Sequence, residues 1–241
     1  MNIEGLSQKI SESKPLDFGS IFNNSLELFK KVWLEGFVIV LLTFASMLPF
    51  YVLFYVPMLT FGIADPEAFQ NDEMPPMAAL LTLLCMPIFL LGVMVCSLCL
   101  NAAFLRICWL KDLNRPVDGY FFYFKKEYLI KALLLSLIIF GLSILGFLAC
   151  GLGMFYLVVP LSLFPVFFAF NKELSAMDIT KASFALGNKN WGVIFGALLL
   201  TGIIGQLGVL LCFVGVFFTA MISRVPVYFV YKEAVGFPPQ L

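Results

Sequence analysis

Charged residues inside apolar runs come first, because an ionisable side chain in lipid is costly and by default has a task. Arg224 precedes Lys232 by eight residues, about 12 Å deeper along a helix. Two readings of it stand: it snorkels to the membrane surface, or it lines a polar cavity and pairs with a carboxylate or a lipid phosphate. Arg106 lies five residues before Lys111 and reads as snorkelling. Asn101, deeper on the same helix, reads as an interhelical hydrogen-bond donor. Glu35 follows Trp33 closely and is either interfacial or a partner for one of these arginines. Arg224, Arg106, Asn101 and Glu35 form the candidate cavity or lipid-contacting set.

Enzymatic chemistry is poorly served. The chain has no His, which removes the commonest general base and metal ligand. Glu35, Glu127, Glu173 and Asp178 are the carboxylates placed to cluster near an interface, and their spacing suggests caps and salt bridges. The six cysteines (Cys85, Cys96, Cys99, Cys108, Cys150 and Cys212) all lie in or beside apolar runs. Cys96 and Cys99 share a helix face, but no second ligand pair stands near them. Gly141, Gly146, Gly192, Gly196, Gly202 and Gly205 read as close helix contacts. No catalytic residue, cofactor or metal site is expected.

The elements that would hold these residues are membrane helices. Of 241 residues, 61% are hydrophobic and 12% charged, against about 45–50% and about 25% in soluble domains. Apolar runs of about 18 or more residues recur. The net charge is zero, so no basic field points to nucleic acid.

Residues 1–15 read as a loose cytoplasmic tail without the pattern of a cleavable signal. Asp17 is a candidate N-cap for an amphipathic helix that ends at Lys30, Lys31 and Trp33. Spans are expected over 36–56, 77–109, 129–149, 154–170, 193–211 and 216–231. The second exceeds a hydrocarbon core of about 30 Å and must tilt, kink at Pro87 or project. A second amphipathic stretch runs from Asp118 past Lys125 and Lys126 to Tyr128. A third begins at Ser175 with Asp178 in capping-box spacing and ends at Lys189 and Trp191. Trp33, Tyr128 and Trp191, with Lys30, Lys31, Lys125, Lys126 and Lys189, are the expected interfacial anchors.

These pieces repeat. Ser25, Leu28 and Trp33 share their offsets with Ser183, Leu186 and Trp191. Lys111-Asp112, Lys172-Glu173 and Lys232-Glu233 recur at steps of about sixty residues. The expected fold is all-α and membrane-integral, with six transmembrane helices as three parallel-repeat hairpins. Each hairpin is preceded by a cytoplasmic interfacial amphipathic helix. The units cover about 16–112, 117–173 and 175–233 within a single membrane domain, 16–241. Lys and Arg gather at the unit ends, whereas the acidic 60–76 segment has none. The positive-inside rule then puts both termini in the cytoplasm.

Residues 15–29 (PLDFGSIFNNSLELF) and 182–191 (ASFALGNKNW) resemble a loose group of uncharacterised bacterial inner-membrane families. The group includes the multi-span membrane domain joined to some glycerophosphodiester phosphodiesterases. The resemblance implies a six-span body in the bacterial cytoplasmic membrane. The phosphodiesterase chemistry belongs to a separate soluble domain with no counterpart here, so no catalytic residue carries over. Pro116-Val-Asp118 lacks the continuation of a mitochondrial-carrier signature. The expected function is non-enzymatic: organising lipid or a partner protein, or a second copy of the chain, at the cytoplasmic face. The alternative is a transporter or lipid-translocating protein with a cytoplasm-facing polar cavity near Arg224.

Overall fold

The computed structural model describes residues 3–64, 76–149, 151–210 and 214–237. Helices dominate, and no strand occurs among these residues. The acidic segment at 65–75, Cys150 and the Cys212 turn lie outside them.

The first departure from expectation is at the N-terminus. Ile3–Glu12 is a helix, α1, and not a loose tail. Leu6 and Ile10 share one face and are buried, which supplies the apolar burial that so short a helix needs.

The second helix, α2, runs unbroken over Phe18–Ala64. Asp17 caps it, its carboxylate accepting the Ser20 amide at 2.6 Å. The expected interfacial helix and first span are therefore one rod of 47 residues. Nothing between Lys31 and Gly36 breaks a helix: the sequence Val-Trp-Leu-Glu holds no Pro. Helix α3, Pro76–Asp112, returns antiparallel to α2. Glu35 meets Lys111 at one end, and Tyr51 packs edge-on and Phe54 tilted against Phe89 further along.

The second expected amphipathic helix does not form. Pro116 and Gly119 (φ +129°) interrupt it, and only a 3-10 turn, Phe122–Phe124, is helical before α4 begins. Helices α4 (Lys126–Leu148) and α5 (Leu152–Phe170) make an antiparallel hairpin. Gly151 turns the chain at φ +77°, a conformation that costs Gly little. The helices nearly touch at the turn: a Cβ on Gly153 would lie 2.8 Å from Gly146 Cα. Every residue of α5 from Leu163 to Phe170 is buried, so this helix is the axis of the core.

The third amphipathic helix, α6 (Ala176–Lys189), is capped by the Ser175 hydroxyl, which accepts the Asp178 amide at 3.1 Å. It folds back along α5, with Gly187 against Pro160. Its buried face (Ile179, Ala182, Ser183, Leu186) thus meets protein. Asn190 separates it from α7, Trp191–Gln206, which a 3-10 turn (Leu207–Leu210) extends.

The expected sixth span is divided. Helix α8 (Val214–Thr219) passes into a 3-10 segment, Ala220–Arg224, and then into α9, Val225–Ala234. Pro226, in the first turn of α9, has no N–H to give the preceding turn and its ring crowds that turn's carbonyl. Thr219 pins the break to α7 by donating to the Gly205 carbonyl at 2.6 Å.

Five helical stretches among the described residues are long and apolar enough to cross a membrane: Phe18–Phe61, Pro76–Asp112, Lys126–Leu148, Leu152–Phe170 and Trp191–Val209. The core occupies one end of the bundle. In α3 the buried residues run from Cys96 to Leu110, with Ala78 the one exception. The opposite halves of α2 and α3 expose Phe44, Leu48, Val52, Leu80, Leu83 and Ile88. Apolar surface of this extent is incompatible with water and fits a lipid surround.

Candidate functional site

The helix ends on the core side carry a layer of polar contacts. Each closing Lys found in the repeat finds an acid on another helix. Lys111 pairs with Glu35 at 2.6 Å, tying α3 to α2. Lys172 pairs with Glu127 at 3.1 Å, tying the end of α5 to the start of α4. Lys131 donates to the Lys172 carbonyl beside it. Lys232 breaks the pattern: the positions in its own unit that match Glu35 and Glu127 are Val193 and Asn190, neither of them an acid. It reaches Asp112 at 2.5 Å instead and joins α9 to α3. Asp112 also accepts the Tyr228 hydroxyl at 2.6 Å. One residue layer deeper, the Asn171 amide donates to the Tyr231 hydroxyl at 2.9 Å. A single network therefore joins α2, α3, α4, α5 and α9.

Arg106 sits at the edge of this layer. Its guanidinium makes a fork to Asp118 (3.1 and 2.5 Å) and stacks over Phe122 at 4.1 Å. A planar fork both pairs with a carboxylate and lies on a ring, which an ammonium does less well. Arg106 thus anchors the 113–125 loop. Beneath it, burial pushes the Tyr123 phenol well above its usual pKa, the nearby Arg106 charge opposing this in part. The Tyr123 hydroxyl donates to the Ala169 carbonyl at 2.8 Å. The exposed Lys172 ammonium has a raised pKa, chiefly from its hydrogen bond to Glu127.

Several expected positions are placed differently. Glu35 reaches Lys111 and neither arginine. Asn101 donates to the Ser97 carbonyl at 2.7 Å and so bonds within its own helix. Tyr128 is buried against Phe122, Tyr123 and Phe168 instead of facing an interface. Lys189 does not hang free: its ammonium donates to the carbonyls of Ile10, Ser11 and Ser13. Trp191 is half-buried, its indole N–H donating to the Tyr156 carbonyl at 3.1 Å. Trp33 is 44% exposed, and Lys30, Lys31, Lys125 and Lys126 point outward.

Arg224 is half-buried in the 3-10 break, and among the described residues it has no ion pair or hydrogen bond. It is not brought into contact with Arg106, Asn101 or Glu35. The residues that sequence reasoning missed are Asp112, Asp118, Asn171, Tyr228 and Tyr231. Asp112 was visible as half of the first closing pair, but its partner lies 120 residues away.

Among the described residues, no three His, Cys, Asp or Glu side chains gather as metal ligands would. Cys99 is buried and its thiol points to the Tyr123 carbonyl at 3.5 Å, so it serves packing. Apolar helices, an apolar exposed half and an ion-paired end define an all-helical, multi-pass membrane protein. No protein-family model, curated protein or solved structure matches the chain.

Proposed function

We propose that this is a non-enzymatic protein of the bacterial cytoplasmic membrane that organises phospholipid, or a partner protein, at its cytoplasmic face. In this reading both termini are cytoplasmic. The observation that carries it is the polar layer. Among the described residues three ion pairs join helix ends and a fourth holds the 113–125 loop, while Lys30, Lys31, Lys125 and Lys126, outside these pairs, face outward. Each such Lys contributes about 1 kcal/mol of attraction to an anionic leaflet. The resemblance of 15–29 and 182–191 to bacterial membrane domains supports the same compartment. The test is native mass spectrometry of the full chain released from detergent, together with crosslinking in native membranes. Retained phospholipid or a reproducible crosslinked partner supports the reading. A lipid-free, uncrosslinked monomer rules it out.

A second reading rests on Arg224. A half-buried arginine without a counter-charge among the described residues, on a helix interrupted by a 3-10 segment, resembles the discontinuous helices on which transporters build substrate sites. Under that reading Arg224→Gln abolishes flux of an anionic solute or lipid in proteoliposomes while the fold persists.

A further inference from the structure

A cavity of about 170 Å³ opens in the polar layer between α2, the end of α3 and α9. Asn24, Glu27, Lys31, Asp112 and Lys232 supply its polar wall, and Leu28 and Phe229 its apolar one. Two of its charges are already engaged: Asp112 holds both Lys232 and the Tyr228 hydroxyl. Two are not. Glu27 and Lys31 lie one turn apart on α2, the spacing at which such residues usually pair. Among the described residues neither makes an ion pair or hydrogen bond. The Asn24 amide bonds only within its helix, to Ser20 at 3.2 Å.

The charges around the cavity cancel: two ammonium groups, Lys31 and Lys232, face two carboxylates, Glu27 and Asp112. A net anion would gain from the lysines and lose to the acids. A zwitterion that puts its anionic end at the lysines and its cationic end at Glu27 gives Glu27 a partner and sets a second anion beside Lys31. Its α2 residues lie two to nine positions before Trp33, a residue type that favours the headgroup level. A primary ammonium can donate to Glu27, whereas a trimethylated one has no N–H to give.

We infer that this cavity binds the headgroup of a zwitterionic phospholipid bearing a primary ammonium, with Lys31 and Lys232 at the phosphate and Glu27 at the ammonium. This rests on the lipid-organising reading above and gives it a headgroup preference. Loss of one charge-assisted hydrogen bond corresponds to about tenfold in affinity.

The test uses the full chain in detergent with three probes: phosphatidylethanolamine, phosphatidylcholine and phosphatidylglycerol, each titrated and read by native mass spectrometry. Phosphatidylethanolamine is expected to bind about tenfold tighter than phosphatidylcholine. Glu27→Gln removes that preference, Lys31→Gln weakens every phospholipid, and Lys181→Gln, exposed on α6 and outside the cavity, changes neither. Soluble phosphoethanolamine distinguishes the sources. If it competes only at concentrations far above the lipid's, the bilayer is the source; if it competes at comparable concentrations, the site takes the free headgroup and the lipid assignment is overturned. Lipid retained without headgroup preference, or unchanged in Glu27→Gln and Lys31→Gln, overturns the cavity assignment and leaves the lipid-organising reading standing. No lipid retained by any form overturns both.

Discussion

The Lys189 ammonium donates to the Ile10 carbonyl at 2.6 Å, and the same nitrogen reaches the Ser11 and Ser13 carbonyls. One cation thereby closes the C-terminus of α1, where carbonyls lack partners and the helix dipole favours positive charge. The last residue of α6 holds the first helix of the chain in place. Lys189→Met keeps the aliphatic stem and deletes the donors. It is expected to cost about 1 kcal/mol and to speed amide exchange in Ile3–Glu12 while the exchange of α5 stays unchanged, as hydrogen-exchange mass spectrometry would show.

The crossing of Gly146 and Gly153 has no room for a side chain, since the nearest atoms to a Cβ on Gly153 are backbone. Gly153→Leu is expected to destabilise the α4–α5 hairpin by about 1–3 kcal/mol, read as a lower melting temperature in detergent. Gly202 on α7 has nothing within 4 Å of its Cβ position. Gly202→Ala is therefore expected to be neutral or slightly stabilising.

Near the start of α2, Glu233 has its pKa raised above 4.5, first by burial and then by the Asp17 carboxylate that caps the helix. A raised acid binds its proton more tightly in the folded state than in the unfolded one. Stability from this group is thus greatest below the unfolded value and declines as pH rises through the folded one, after which it is level. Melting temperatures measured from pH 4 upward should fall across that window in the parent and fall less in Glu233→Gln.

Arg224 separates stability from function. Its charge has no partner among the described residues to offset its desolvation, so Arg224→Met is expected to equal or exceed the parent in thermal stability. A loss of stability in Arg224→Met would reveal a counter-charge supplied by lipid or by another chain.

Features with short-range causes were legible in the chain. The Asp17 and Ser175 caps depend on atoms three residues away, and the structure has both. The α4–α5 turn follows from Gly151. Features with long-range causes were not. An aromatic beside lysines, as at Tyr128, reads alike whether it faces headgroups or a core, and the packing of Phe168 decides it. Helix α1 has Ile3, Leu6 and Ile10 at helical spacing, but ten residues are marginal as a helix alone, and the Lys189 that closes it lies 179 residues after Ile10. The sixth apolar stretch looked continuous because Pro226 is compatible with a helix start as well as with a kink. Asp112 gave no sign that Tyr228 and Lys232 would converge on it.

The continuity of α2 has a mechanical consequence. A separate surface helix could slide or lift without disturbing the span behind it; here Lys30 and Lys31 sit on the same rod as that span. From Glu35 to Pro49 the rise is about 21 Å, so a pivot of about 5° at Glu35 moves the level of Pro49 by about 2 Å. With the Glu35–Lys111 pair as the fulcrum, a tilt of the lysine-bearing segment is carried to the apolar side chains beyond it.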